Sequence, residues 1–358
     1  MPNQHLPLSE APQHIIVRMP NWLGDLVMAT PILTDLRHHW PEAKITVMCQ
    51  GSLGTVIQED PHITTLLNFK HPKGWFGSQP SQEIVIPLRK GEFDLGILMT
   101  NSFSSSYWFW RGDVKNRLGY ATHGRSLLLN HPVPLPTQLE NQHLVVTYKM
   151  LLSPLGIPVS ETVPRLYVTQ KEQKIAREKL ANSGIQPGDI LIGINPGAAY
   201  GSAKCWLPER FKKLSLRLLD HPHLKIAYFG DQVGAPLVQE ICAGLPSDRV
   251  INLAGKTTLR ELMACIQACQ LFLTNDSGPM HVASALGTPL IALFGSTSDV
   301  ATSPYRGGRV IHKHVPCSPC YRRECPIDFR CMTRISVQEV YDEIQPFIKG
   351  PSPLSPLP

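Results

Sequence analysis

Short apolar runs rich in β-branched residues alternate with stretches of helical spacing along almost the whole chain. "HIIVRM" from His14 predicts a first strand, followed by a helix over 25–40. "KITVMC" and "FDLGILMT" predict further strands, and a helix over 141–155 closes this half. "GIPVSETVPRLYVT" has no clear period and reads as a linker. The alternation then restarts: helix 171–183, strand "ILIGIN", helix 208–219, strand "LKIAYFG", helix 235–243 and strand "VINL". Helix 259–269, strand "LFLTN", helix 278–286, strand "PLIALFG" and a last helix over 336–348 complete it. Near-continuous apolar strands separated by helices imply parallel sheets covered on both faces. The expected fold is therefore α/β, two doubly wound Rossmann-like domains. Ligands belong beyond the carboxyl ends of the strands, in a cleft between the domains.

Composition sharpens this picture in three places. With 42% hydrophobic and 17% charged residues over 358 positions, the chain can bury two cores. No basic-then-apolar leader and no run of ~20 apolar residues is present, so a cytoplasmic protein is expected. Nine cysteines, an odd number, fit a reducing compartment. The net charge of +6 is uneven: between Lys70 and Arg125 eight bases (Lys70, Lys73, Arg89, Lys90, Arg111, Lys115, Arg117, Arg125) stand against four acids. That excess reads either as a solvated face or as a patch for an anionic partner.

Polar clusters interrupt the apolar pattern where strands give way to helices. "TNDSGPMH" places Asp276, Ser277, Gly278 and His281 after one strand, where the first-turn N–H groups of a helix suit a phosphate. A plain N-cap, with His281 packed beneath, is the alternative. "NPGAAYGSAKCW" repeats the arrangement, with glycines for close approach and Lys204 as a point charge. Two such loops in one half favour a shared phosphate ligand. "AGKTTL" lacks the earlier glycine of a P-loop, which rejects ATP hydrolysis. In the first half "NWLGDLVMATP" puts Asp25 at a helix start, as an N-cap or as a general base. "SYWFWRGD" reads as core packing of a helix, or else as a membrane or acceptor patch. Cys317, Cys320, Cys325 and Cys331 could hold a structural zinc, or pack a loop as reduced thiols.

"NWLGDLVMATP", "NSF" at Asn101–Phe103, "RLGY…GRSLLL", "PGAAYGSAKCW" and "NDSGPMHVASALGTPLIALFGSTS" occur in that order. Together they resemble the ADP-heptose:lipopolysaccharide heptosyltransferases, a glycosyltransferase family 9 group, and within it the type II members. The resemblance implies a GT-B architecture. Residues 1–12 are then a flexible start, 13–157 the acceptor-binding domain and 158–170 a linker. Residues 171–335 form the nucleotide-sugar domain, with a Cys-rich loop at 317–331, followed by a C-terminal helix at 336–349 and a flexible tail at 350–358.

It further implies inverting transfer of L-glycero-D-manno-heptose from ADP-heptose to the inner-core heptose of Kdo-lipid A. Asp25 falls on the family's general base and Lys204 on its phosphate-binding lysine. Asp276, Ser277, Gly278 and His281 fall on its donor motif, and the backbone around Gly255, Lys256 and Thr257 is implied to flank the adenine. Asn101, Ser102, Arg117 and Arg125 would meet the acceptor. The implied partners are the nucleotide-sugar and the lipopolysaccharide acceptor, with peripheral inner-membrane contact and no nucleic acid. No obligatory cofactor is expected, because no acidic pair has metal-ligand spacing. Transfer of another sugar on the same scaffold, and a non-catalytic protein binding anionic glycans, are the two alternatives.

Overall fold

In a computed structural model, which describes Leu8, residues 10–70, 80–137 and 139–348, the chain divides into two compact units, Met1–Tyr167 and Val168–Pro358. Lys73, nearly all of the expected flexible start and the tail at 350–358 lie outside the described residues. None of the described helices is long and apolar enough to cross a membrane.

The first unit is built on six parallel strands in the order β3-β2-β1-β4-β5-β6. These are β1 (His14–Arg18), β2 (Lys44–Gln50), β3 (Thr65–Phe69), β4 (Leu95–Leu98), β5 (Asn116–Tyr120) and β6 (His131–Val133). The second has the order β12-β11-β10-β7-β8-β9. Its strands are β7 (Ile190–Asn195), β8 (Leu224–Tyr228), β9 (Val250–Asn252), β10 (Leu271–Asn275), β11 (Leu290–Phe294) and β12 (Arg309–His312), all parallel. The central strands β4, β10 and β11 are buried at every position, as parallel strands covered on both faces must be.

Each sheet reverses its strand order once, between β1 and β4 in the first unit and between β7 and β10 in the second. The crevice beyond the carboxyl ends at such a reversal is where a doubly wound sheet receives its ligand.

The helix expected over 25–40 is two helices, α1 (Leu23–Ala29) and α2 (Pro31–His39). Pro31 has no N–H to continue the ladder, and Thr30 Oγ1 turns back onto the Val27 carbonyl at 2.8 Å. The region 141–155 contains α3 (Leu144–Met150), tied down from one side by charge. Buried Lys149 donates to the carbonyls of Ser160 and Thr162, and buried Asp35 accepts from both their hydroxyls. The segment leaving the first unit is thereby strapped beneath α3.

In the second unit, Trp206 is fully buried, packs edge-on against Phe211 with ring centres 5.0 Å apart, and donates its indole N–H to the Ile335 carbonyl. The C-terminal helix Val337–Ile348 contributes Val340, Ile344 and Ile348 to the same core.

Candidate active site

The first reversal is bordered by the loops after β1 and β4. Arg18, at the end of β1 and almost wholly buried, donates to the Met19 carbonyl and to Asn21 Oδ1, fixing the turn that leads into α1. Asp25 is the third residue of α1. Trp22 holds the N-cap position without a side-chain cap, so the capping alternative for Asp25 is set aside. Its Oδ1 instead accepts from the phenol of Tyr148 on α3, at 3.1 Å. Burial first, and then the Asp25 charge, push that phenol well above its ordinary value, so Tyr148 remains a donor.

From β4 the chain passes Asn101 and Ser102, both exposed, into α4 (Phe103–Arg111). Ser102 caps α4, accepting from the Ser105 N–H, and Asn101 Oδ1 accepts from Arg125 at 3.2 Å. On α4 Trp108 and Phe109 are core residues while Trp110 is half exposed, so "SYWFWRGD" is mainly packing.

The second reversal carries the denser cluster. β10 ends at Asn275, Asp276 and Ser277 follow, and α5 (Gly278–Leu286) begins. Across it, the loop after β7 runs from Asn195 to Trp206. Asn275 bridges the two, accepting the Trp206 N–H at 2.9 Å and donating to the Pro196 carbonyl at 2.6 Å. Lys204 Nζ lies 2.5 Å from Asp276 Oδ2, with side chains only 13% and 4% exposed. Thr297, from the loop after β11, donates to the same oxygen at 2.6 Å.

Ser277 occupies the N-cap position of α5 but does not cap it. Its hydroxyl pairs with Thr274 and accepts from Asn195 Nδ2. His281 is buried on α5. Lys204 also lies 5.0 Å from the ring of Tyr200, whose face meets Arg323 at 5.4 Å. Lys204 and Asp276, singled out in separate loops, are thus partners of each other. The pair is neutral as a unit, yet Lys204 retains two further N–H donors.

Gly255, Lys256 and Thr257 follow β9, the third strand of this unit in chain order, at the sheet edge. Gly255 has φ 69° and donates to the Gly230 carbonyl, which joins this turn to the loop after β8.

Three expectations are corrected. Arg125 is wholly buried, donating to the carbonyls of Tyr120 and Thr100, and burial pulls its pKa down to about 10. It buttresses the loop holding Asn101 and does not reach out to an acceptor. Arg117 is likewise committed to the carbonyls of Leu128 and Val114. Within the basic stretch, Arg89 pairs with Asp113 at 2.7 Å and Lys115 with Asp94 at 2.9 Å. The four cysteines do line one cavity of about 160 Å³. Cys317 and Cys320 are exposed while Cys331 is buried, and no three of the thiols converge to within 4.8 Å of one another, a poor fit to tetrahedral zinc. The loop instead packs on the Lys204 loop: the Arg323 carbonyl accepts from the Ala203 N–H, and a Cβ at Gly201 would lie 2.3 Å from it.

The model of "Glycosyltransferase family 9 (heptosyltransferase)" matches residues 84–329, more than half of the chain. The chain belongs to glycosyltransferase family 9. Among the family's curated proteins it is similar to the lipooligosaccharide heptosyltransferase 2 of Campylobacter jejuni, at 26% identity over 94% of this chain and 98% of that one. It is 30% identical to the Haemophilus ducreyi lipooligosaccharide heptosyltransferase 2 over 83% and 87%. Among solved structures, ADP-heptose LPS heptosyltransferase II of Escherichia coli superposes with a TM-score of 0.79 at 26% identity, covering 94% of this chain and 98% of that one. Membership makes the chain a glycosyltransferase of the heptosyltransferase kind. Tyr148, Asn195, Asn275 and Thr297 join their clusters from the structure: the last three stand inside the quoted motifs without having been singled out there, and Tyr148 is a polar residue in an apolar run with no local signal.

Proposed function

We propose that this family 9 member moves L-glycero-D-manno-heptose, with inversion, from ADP-heptose to the inner-core heptose of Kdo-lipid A. The kinship to heptosyltransferase 2 proteins of several bacteria supports the substrate pair. The observation that carries the mechanism is the grouping of chemistry at both strand-order reversals: Asp25 with Tyr148 in one unit, Lys204 with Asp276 and Thr297 in the other.

In this reading the second unit binds the donor. Lys204 and the N–H groups at the start of α5 take up the charge that grows on ADP as the bond from the anomeric carbon to the phosphate oxygen breaks. Preorganised donors of this kind are worth about 3 kcal/mol each. Asp276, held by Lys204 and Thr297, accepts from sugar hydroxyls. The turn at Gly255, Lys256 and Thr257 flanks the adenine.

The first unit binds the acceptor, with Asn101 and Ser102 at its hydroxyls. Asp25 removes the proton of the attacking hydroxyl, and the new bond forms on the face opposite the departing ADP. Tyr148 aims the carboxylate. Every step uses groups of the chain itself. The protein acts in the cytoplasm, meeting the inner membrane through its acceptor.

The test is incubation of the purified chain with a panel of nucleotide-sugars and a heptosyl-Kdo acceptor, with product followed by mass. A one-heptose increment from ADP-heptose alone supports the assignment. Transfer from a different nucleotide-sugar replaces it, and nucleotide binding without any transfer rejects it.

A further inference from the structure

We propose that Asp299, His312 and His314 form a binding site for a divalent first-row transition-metal ion, outside the proposed transfer chemistry. Asp299 opens the short helix Asp299–Thr302 after β11, and the two histidines end and follow β12. One ligand atom from each of the three lies within 4.8 Å of the others, the one such group among the described residues. His312 Nδ1 is 3.2 Å from Asp299 Oδ1, and His314 Nε2 is 3.4 Å from Asp299 Oδ2. In a tetrahedron the ligand–ligand edge is 1.63 times the bond length, so bonds of about 2.0–2.1 Å give edges of about 3.3–3.4 Å. The two observed separations, one to each oxygen of the carboxylate, are close to that edge.

The state of His312 points the same way. Its side chain is only 2% exposed. The hydroxyl of Ser318 spends its single proton on the Gly295 carbonyl, so at 2.9 Å it can only accept from His312 Nε2–H. Nδ1 is then the ring atom left to face Asp299. Buried, it has no hydrogen-bond partner, although the Asp299 carboxylate oxygen lies at 3.2 Å. A carboxylate oxygen facing a buried ring nitrogen that has no hydrogen-bond partner is a pair of ligand atoms aimed at one point. A histidine whose far N–H is anchored while the near nitrogen faces a carboxylate is the arrangement that metal-ligating histidines show. His314 brings the third atom in, its ring centre 4.1 Å from that of His312 and its backbone in the left-handed region at φ 41°. Two imidazoles and one carboxylate suit zinc, iron(II) or cobalt(II) rather than calcium or magnesium, and leave a coordination position open. The ion would clamp the loop that carries Thr297 to the edge strand β12.

The test is titration of chelator-stripped full-length protein with Co²⁺ and with Zn²⁺, followed by visible absorption, metal content and thermal melting. One Co²⁺ per chain is expected, with d–d bands and no thiolate charge-transfer band, and Zn²⁺ should compete for it and raise the Tm. His314→Ala, at an exposed position, and Asp299→Asn should each weaken uptake by at least the ~10–100-fold that loss of a supporting group costs a metal site. A Cys317→Ser/Cys320→Ser variant should bind as the parent does. A charge-transfer band that the cysteine variant abolishes would assign the metal to the thiols and overturn the proposal. So would uptake unaffected by His314→Ala and Asp299→Asn. Absence of stoichiometric uptake would also overturn it.

Discussion

Replacing Lys204 by alanine should have two separable consequences. The pair with Asp276 is 2.5 Å long, and the side chains are 13% and 4% exposed. Removing one partner of a buried pair strands the other charge and costs about 3–5 kcal/mol. Thr297 still donates to the stranded carboxylate, which places the expected loss at the low end, about 3 kcal/mol. In a unit of this size that is a fall in Tm of about 6–12 °C. Separately, a charge-assisted hydrogen bond to phosphate is worth about 1.5–3 kcal/mol, so ADP affinity should drop about 10- to 150-fold.

The double variant Lys204→Ala/Asp276→Asn divides these effects. Without the stranded charge, and with the amide still able to accept from Thr297, urea denaturation should recover most of the lost stability. Calorimetry should find ADP binding still weak. Recovery of ADP affinity in the double variant would show that Lys204 serves the fold and not the nucleotide. A single variant with unchanged stability would refute the ion pair itself.

Asp25→Ala should lower turnover by about 10²–10⁴ while ADP binding by calorimetry is unchanged; transfer near the parental rate would move the base elsewhere. Tyr148→Phe removes a donor to that carboxylate, and should shift the acid limb of the kcat/KM profile upward by about one to two pH units; an unmoved limb would deny Tyr148 its positioning role. Arg125→Ala should destabilise the first unit by at least about 2 kcal/mol in urea denaturation, since buried carbonyls lose their donors; a normal melt with a raised acceptor KM would return Arg125 to the acceptor site. Glu172 is held at about 2, first by the hydrogen bond from Arg260, so its stabilisation is complete above the ordinary carboxylate value near 4.5 and disappears as pH falls toward 2. In Glu172→Gln that part of the acid-induced loss of stability, followed by thermal melting against pH, should be missing.

What could be read from the chain follows from where the physics is local. Strands buried on both faces announce themselves as unbroken apolar runs, which is why "ILIGIN", "LFLTN" and "PLIALFG" were visible. The strands that were not, "TLLNF", "NRLGY", "HPV" and "RVIH", lie toward or at sheet edges and carry polar residues or a proline. Asp25, Lys204 and Asp276 could be picked out because a charged residue at a strand-to-helix turn breaks the apolar pattern. Their partners could not. Tyr148 is 123 residues from Asp25, and Thr297 is 21 from Asp276, so only the topology brings them together. Arg117 and Arg125 misled for the opposite reason: a count of charges does not show that backbone carbonyls have already claimed the guanidinium groups.

The neutrality of the Lys204–Asp276 pair bears on how the proposed donor site would hold a diphosphate. A free lysine would draw the anion by its full charge, whereas a paired one contributes direction more than field. The remaining attraction must come from groups that do not titrate. The first turn of α5 is one, because Ser277 spends its hydroxyl on Thr274 and Asn195 instead of capping it, leaving the helix end, with about half an elementary charge, uncapped by any side chain. An arrangement of this kind needs little reorganisation when charge develops on the leaving group. It also explains why Asn275, whose side chain hydrogen-bonds to neither Lys204 nor Asp276, is central: by bridging the Trp206 N–H and the Pro196 carbonyl it fixes the distance between the lysine's loop and the helix end. Asn275→Ala should therefore slow transfer more than it weakens ADP binding, because loose donors still bind an anion but no longer meet the transition state. Equal losses in kcat and ADP affinity would mean that the bridge merely holds the site together.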